Sequence, residues 1–346
     1  MASPGQLLRE VRPLEERGDV PSIGPHAAVA GSPDRASDTA GGAPLISVVV
    51  PTYGHGHLIL ETLESVFAQT YENVEVIVIN DGSPDDVARI LAPLREAGRI
   101  RYIEQENRGQ SSARNRGLEL ASGEFVAFLD DDDLWPPDRL ASQADALLTE
   151  PPAVLAYGDF VKRFEDGRQV DQLEGPRPAG DVRRDFLRRN WLLSPGQALM
   201  WTSVVRSIGG FDPGLWGSDD WDLYIRLSRC GRFVHCPGIA LVYRVHEQNA
   251  SRRAVLHARN HLKVARRHIG WNLPLFASQQ RLAANYFVPN LIRFATSASA
   301  GGQQAAALQA YAYALAFRPG LVARPWYAAS VWRSLIGVFR HNREAR

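Results

Sequence analysis

The chain has 346 residues, of which 45% are hydrophobic and 22% charged, and its formal net charge is +1. That balance suits one large packed domain with appendages. Cys230 and Cys236 form no CxxC pair and no ligand set with nearby histidines, which argues against a disulfide framework or a structural zinc site and fits a reducing compartment. No stretch reaches the roughly 18 uninterrupted apolar residues of a spanning helix. The N-terminus lacks the basic segment and apolar core of a signal peptide, so the expected location is cytoplasmic. The near-neutral total hides an asymmetry. From Arg252 onward thirteen arginines and one lysine face a single acid, Glu344, so a tail of +13 balances a body of −12.

Residues 1–43 are rich in Pro, Gly, Ala, Ser and Asp and read as a disordered leader. Order begins at Ile46-Ser47-Val48-Val49-Val50-Pro51, a β-branched run suited to a strand buried on both faces. A helix is predicted over 58–69, with Leu60, Leu63 and Phe67 on one side. Strands follow at 74–79, 100–104 and 125–129, alternating with helices at 84–97, 111–121 and 136–149. Such alternation implies a mostly parallel sheet covered on both faces. Beyond Ala153 the pattern changes. Strand candidates occupy 154–160, 200–205 and 240–245, and a helix is expected over 219–229. From Arg252 onward the chain reads as wholly helical, with breaks near Pro274, Pro289, Gly301-Gly302 and Pro319.

In an open parallel sheet, ligands bind beyond the carboxyl ends of the strands. The first four strands lead into Pro51-Thr52-Tyr53-Gly54, Asn80-Asp81-Gly82-Ser83, Glu106-Asn107-Arg108-Gly109 and Asp130-Asp131-Asp132-Asp133. All four loops should share one edge. Four adjacent carboxylates repel one another in a compact site. A divalent cation with oxygen ligands, Mg²⁺ or Mn²⁺, would relieve that. The alternative is a solvated acidic turn capping the next helix. If strand geometry persists through the run, Asp130 and Asp132 point one way and Asp131 the other. Asp81 is either plain turn chemistry or an acceptor for a nucleobase. Arg114, early in a helix, is either a surface arginine or a cation added to an anion-binding helix start.

Together these loops resemble the nucleotide-binding half of the family 2 glycosyltransferases, which have the GT-A fold. The matching segments are Ser47-Val-Val-Val-Pro-Thr-Tyr53, Val76-Ile-Val-Ile-Asn-Asp-Gly-Ser83, Asn107-Arg-Gly-Gln-Ser-Ser-Ala-Arg-Asn-Arg-Gly117 and Gly123-Glu-Phe-Val-Ala-Phe-Leu-Asp-Asp-Asp-Asp133. Gly209-Gly-Phe-Asp212, Asp219-Asp-Trp-Asp-Leu223, Tyr243-Arg-Val-His246 and Asn249-Ala-Ser251 are similar too, so the resemblance spans roughly residues 45–255. It implies an α/β GT-A fold, a Rossmann-like, mostly parallel sheet sandwiched by helices, with a C-terminal helical subdomain. The expected division is a GT-A domain over 44–255 and a basic helical region over 256–346. Within the former, 44–135 would be the nucleotide-binding half and 136–255 the acceptor half.

By the same resemblance, Pro51, Thr52, Tyr53, Asp81, Arg114, Asp130 and Asp131 would form the donor nucleotide site. Asp132 would bind Mg²⁺ or Mn²⁺, and His246 either joins it or is a satisfied structural histidine. Asp220 would be the general base, with Asp219, Trp216 and Trp221 on the acceptor side. Asp219 stands where the family has Glu. The implied reaction is inverting transfer of a sugar from a nucleotide diphosphate, UDP favoured, to an acceptor hydroxyl in glycan, polysaccharide or glycolipid synthesis. No Gln-x-x-Arg-Trp motif of processive members is present.

The arginines of the tail lie among Trp, Leu and Phe. That fits either peripheral contact with an anionic membrane, and hence a lipid-linked acceptor, or a helical subdomain packed on the acidic body. No nucleic-acid module accompanies the charge. Two rival readings are a sugar-phosphate nucleotidyltransferase and a non-catalytic nucleotide-sugar-binding protein. The loop Pro51–Gly56 lacks the cations of the first, and retention of both the acid run and Asp220 argues against the second.

Overall fold

A computed structural model describes residues 42–171, 176–246, 254–270 and 272–344. The leader up to residue 41, the Asn249–Ser251 segment and Arg346 lie outside the described residues, as do the side chains of Arg340 and Arg343. The first half alternates as expected: β1 (Ile46–Thr52), α1 (Ile59–Phe67), β2 (Val74–Asn80), α2 (Val87–Glu96), β3 (Arg101–Glu104), α3 (Gln110–Leu120), β4 (Phe125–Phe128) and α4 (Arg139–Thr149). The next stretch holds β5 (Ala153–Phe164), β6 (Gln169–Asp171), α5 (Arg183–Arg188), β7 (Ala198–Trp201), α6 (Thr202–Ser207), α7 (Asp219–Leu227) and β8 (Arg232–Val245). Four helices follow: α8 (Ala254–Ile269), α9 (Leu273–Ala300), α10 (Gln304–Phe317) and α11 (Pro325–Glu344).

The strands form one sheet in the order β3-β2-β1-β4-β7-β5-β6, with β8 also paired to β5. Strands β1 to β4 are parallel, whereas β7 runs antiparallel to both β4 and β5. Thr52 pairs with Asn80, and Asn80 with Glu104, so the loops after these strands emerge along one edge.

Every residue of β1 is buried. Because successive side chains alternate across a sheet, this one run feeds two cores. Val49, Ile77, Val126 and Phe128 pack on one face with α3, α5, α6 and α7. Val48, Val50, Val78 and Phe125 pack on the other with α1, α2 and α4. A Cβ on Gly117 of α3 would lie 2.2 Å from Val49 Cγ1, so only glycine lets α3 sit this close to β1.

Five segments differ from the sequence reading. Leu60 is 43% exposed, and the buried face of α1 is Ile59, Thr62, Leu63 and Val66. The expected strand at 200–205 stops at Trp201, and Val204 and Val205 reach the core from α6 instead. β8 begins eight residues before the expected 240, and α5 had no periodic signal. Pro289 lies inside α9 without breaking it. An interior proline costs about 3 kcal/mol; here Phe287, Val288 and Leu291 are buried beside it in a third core shared with α8, α10 and α11. Tertiary packing outweighs the local penalty.

Candidate active site

The acid run follows β4 but does not continue it. Asp133 N–H donates to Asp130 O at 3.1 Å, closing a turn, so strand alternation is lost and each carboxylate has its own partners. Asp131 accepts from Tyr53 N–H at 3.1 Å and pairs with His55 Nδ1 at 2.8 Å. Asp132 Oδ2 lies 3.0 Å from His246 Nε2. Asp133 is fully buried and accepts from the Arg244 N–H at 3.1 Å. Asp130 accepts from Arg114 at 2.5 Å and from Ser194 at 3.2 Å. Burial pushes Asp131 and Asp133 above the usual carboxylate range, and the charge of Asp132 adds to it in both. This is neither the solvated cap nor the two-sided ladder that the sequence allowed.

Pro51 and Thr52 are buried at the end of β1, and Tyr53 is half exposed at the mouth of that loop. Asp81 is buried. Its carboxylate accepts from Gln105 Nε2 at 2.8 Å, Arg108 N–H at 2.9 Å and Gly109 N–H at 2.8 Å. It therefore pins the loop that leads into α3, a role beyond the isolated turn. Gly82 next to it has φ +69°, and a Cβ there would meet the Asn107 backbone nitrogen at 2.9 Å.

His55, which sequence reasoning passed over, completes a cluster. The ligand atoms of His55, Asp132 and His246 all lie within 4.8 Å of one another, and the two imidazole rings are 5.3 Å apart. Two imidazole nitrogens and a carboxylate oxygen are a donor set that fits a divalent transition ion, Mn²⁺ better than Mg²⁺. The signal for His55 was its place two residues past Tyr53, on the edge where the other loops converge.

On α3, Arg114 is 2% exposed and spans two acids. It donates to Asp130 and, at 3.1 Å, to Asp219. Burial opposes its charge, but Asp130 and Asp219 outweigh that and push its pKa up. Arg114 is thus a buried bridge, neither a surface arginine nor a cation left free at a helix start. Asp219, 1% exposed, also accepts from Ser111 Oγ at 2.8 Å. Both bonds reach Oδ2, which ties α7 to α3.

Asp220 differs. Its Oδ1 accepts from Trp221 N–H at 2.7 Å and its Oδ2 from Asn190 Nδ2 at 3.1 Å. Burial and the adjacent Asp219 charge raise its pKa to about 7, against the pull of Arg114 and Asn190. Asp220, Asp130, Arg114 and Trp216 line one cavity of about 520 Å³, closed on its far side by Leu282 and Tyr286 of α9. Trp221 also reaches the cavity but is nearly wholly buried, donating to Phe186 O at 2.6 Å and stacked 4.4 Å from the His261 ring. It is a wall held from behind rather than a free sugar platform. Asn190 carried no local signal, because it precedes Asp220 by 30 residues in a stretch without motif.

With the geometry described, comparison gives the class. Residues 47–209 match the family model described as glycosyl transferase family 2. An uncharacterized glycosyltransferase of Rickettsia bellii (strain RML369-C) is 30% identical over 183 residues, 53% of this chain and 26% of that protein. This chain therefore spans about a quarter of that relative's length. The S. aureus TarS 1-349 structure in complex with UDP-GlcNAc superposes with a TM-score of 0.57 at 19% identity, covering 87% of this chain and 92% of that one. The mannosyltransferase PcManGT from Pyrobaculum calidifontis, in complex with GDP-Man and Mn²⁺, does so with 0.50 at 23% identity, covering 86% and 87%. Over residues 47–209 the chain is thus similar to the family 2 glycosyltransferases, and its fold is GT-A.

Proposed function

We propose that this chain is a single-transfer, inverting glycosyltransferase that moves a sugar from a nucleotide diphosphate to an acceptor hydroxyl. The observation that carries it is Asp220, poised with a pKa of about 7 in the cavity that Asp130 and Arg114 also line. A carboxylate with that pKa can take a hydroxyl proton near neutral pH. Asn190 and the Trp221 N–H orient it, and its distinct position from Asp132 suits attack from the face opposite the nucleotide. Tyr53, Asp81, Asp130 and Asp131 border the donor side, where the loops after β1, β2 and β4 meet. Asp132 and His246, joined by His55, would hold a divalent cation; when bound, it supplies positive charge to the departing diphosphate. UDP is the favoured nucleotide, since TarS was captured with UDP-GlcNAc; GDP is second, from PcManGT.

The test is a panel of nucleotide sugars with Mn²⁺ or Mg²⁺, scored by thermal stabilisation and slow donor hydrolysis. One UDP-sugar with Mn²⁺ should raise the melting temperature most. Absence of cation-linked stabilisation by every sugar nucleotide would contradict the reading.

A further inference from the structure

Among the described residues, the cavity around Asp220 is lined by four cations and three carboxylates, Asp130, Asp219 and Asp220. The cations are Arg114, Lys162, Arg188 and Arg189. Arg114 is consumed by Asp130 and Asp219. That leaves one lining carboxylate, Asp220, which is already hydrogen-bonded to Asn190. Lys162, on β5 opposite Tyr243 of β8, is half-buried and makes no ion pair among the described residues. Arg189 follows α5 at the cavity rim, with its guanidinium 4.4 Å from the Trp191 ring centre and likewise no carboxylate partner among the described residues. Arg188 stands beside it.

Taking a cation out of water without a counter-charge is costly. Burial lowers the pKa of Lys162 with no acid opposing it, while Arg188 and Arg189 are exposed at the cavity rim. Arg177 sits 2.7 Å from Asp159, and Arg244 2.5 Å from Glu61, whereas buried Arg139 of α4 has no acid beside it among the described residues and rests on the Ala198 carbonyl and the Trp135 ring.

The geometry points to an acceptor that carries its own anionic group, a phosphate or a carboxylate, seated between Lys162 and Arg189 while its hydroxyl faces Asp220. This rests on the glycosyltransferase reading above and narrows its substrate class. Trp191 and Trp216 line the same cavity and offer ring faces for the uncharged part of such a molecule.

The experiment titrates glucose, glucose 6-phosphate and glucuronate into the full chain, without and with saturating UDP and Mn²⁺, by ligand-observed NMR. In the wild type both anionic probes should bind about tenfold tighter than glucose, as charge-assisted hydrogen bonds require. The stronger of the two tells phosphate from carboxylate. The preference should persist with UDP present. It should vanish in Lys162→Met/Arg189→Gln and return in Lys162→Arg/Arg189→Lys, with glucose binding the same in all. Equal binding of the three probes, or a preference that survives the first double substitution, would overturn the inference. So would a preference abolished by UDP, because the cations would then serve the donor diphosphate. Donor hydrolysis by the wild type is followed in parallel. Hydrolysis without anion preference sinks this inference alone, whereas anion preference without hydrolysis of any donor sinks the transferase reading and leaves the anion site.

Discussion

Asp219 and Asp220 are neighbours in sequence with different surroundings. Asp219 faces Arg114 and Ser111 and is spent on holding α3 to α7. Asp220 lies one residue on and lines the cavity, and burial, with the charge of that neighbour added, raises its pKa. The sign of the consequence follows directly. Above about pH 7 Asp220 is charged and can accept a proton; below it the carboxyl is neutral and cannot. Turnover should therefore rise with pH through about 7, measured as kcat on the best donor, and a profile flat across that range would contradict the assignment. Asp222, two residues on, shows the reverse balance. Burial alone would raise it, but the hydrogen bond from His268 and the charge of Arg226 hold it at about 2, so it stays ionised throughout. Of the residues named from motifs, Asp132 and His246 lie together with His55, and Arg114, Asp130, Asp219 and Asp220 line one cavity. The pairing of Asp132 with His246, 114 residues away, was offered by the motifs; that of Arg114 with Asp219, 105 residues away, was not.

At the level of elements, legibility followed burial. Strands β1, β2 and β4 are covered on both faces, so continuous β-branched runs announced them. The α1 face was misassigned at Leu60, which is apolar but lies off the buried stripe, whereas Phe67 packs against the core. The 200–205 segment was misread because Val204 and Val205 satisfy strand preference while serving a helix. The run at 130–133 was read with a strand's period although a turn had begun. The close contact of α3 with β1 gives an element-scale expectation. Gly117→Ala places a methyl group against Val49 in a packed core, and overpacking of this kind costs about 1–3 kcal/mol. Urea unfolding should show that loss, and unchanged stability would mean that α3 can shift away without cost.

Over the whole molecule, the opposite charges of body and tail meet at α8. Arg267 lies 2.8 Å from Asp212 and 3.0 Å from Asp222, and His268 Nε2 lies 2.7 Å from Asp222. Val264, Ala265 and Ile269 of α8 join the core that contains α7. This part of the tail packs on the catalytic domain, as one of the two sequence readings held. Among the described residues no helix is long and apolar enough to cross a membrane, while Trp326 and Trp332 of α11 are exposed. By lining the Asp220 cavity, α9 extends the site beyond the matched family segment, which is why acceptor features were least readable from motifs.

The most direct measurement compares wild type and Asp220→Asn for both donor affinity and donor turnover, using the nucleotide sugar that stabilises the chain best. The substitution keeps the shape and removes the base. Turnover should fall by about 10²–10⁴-fold, with donor affinity within about twofold of wild type. Turnover near the wild-type rate, or donor binding lost together with turnover, would contradict the account.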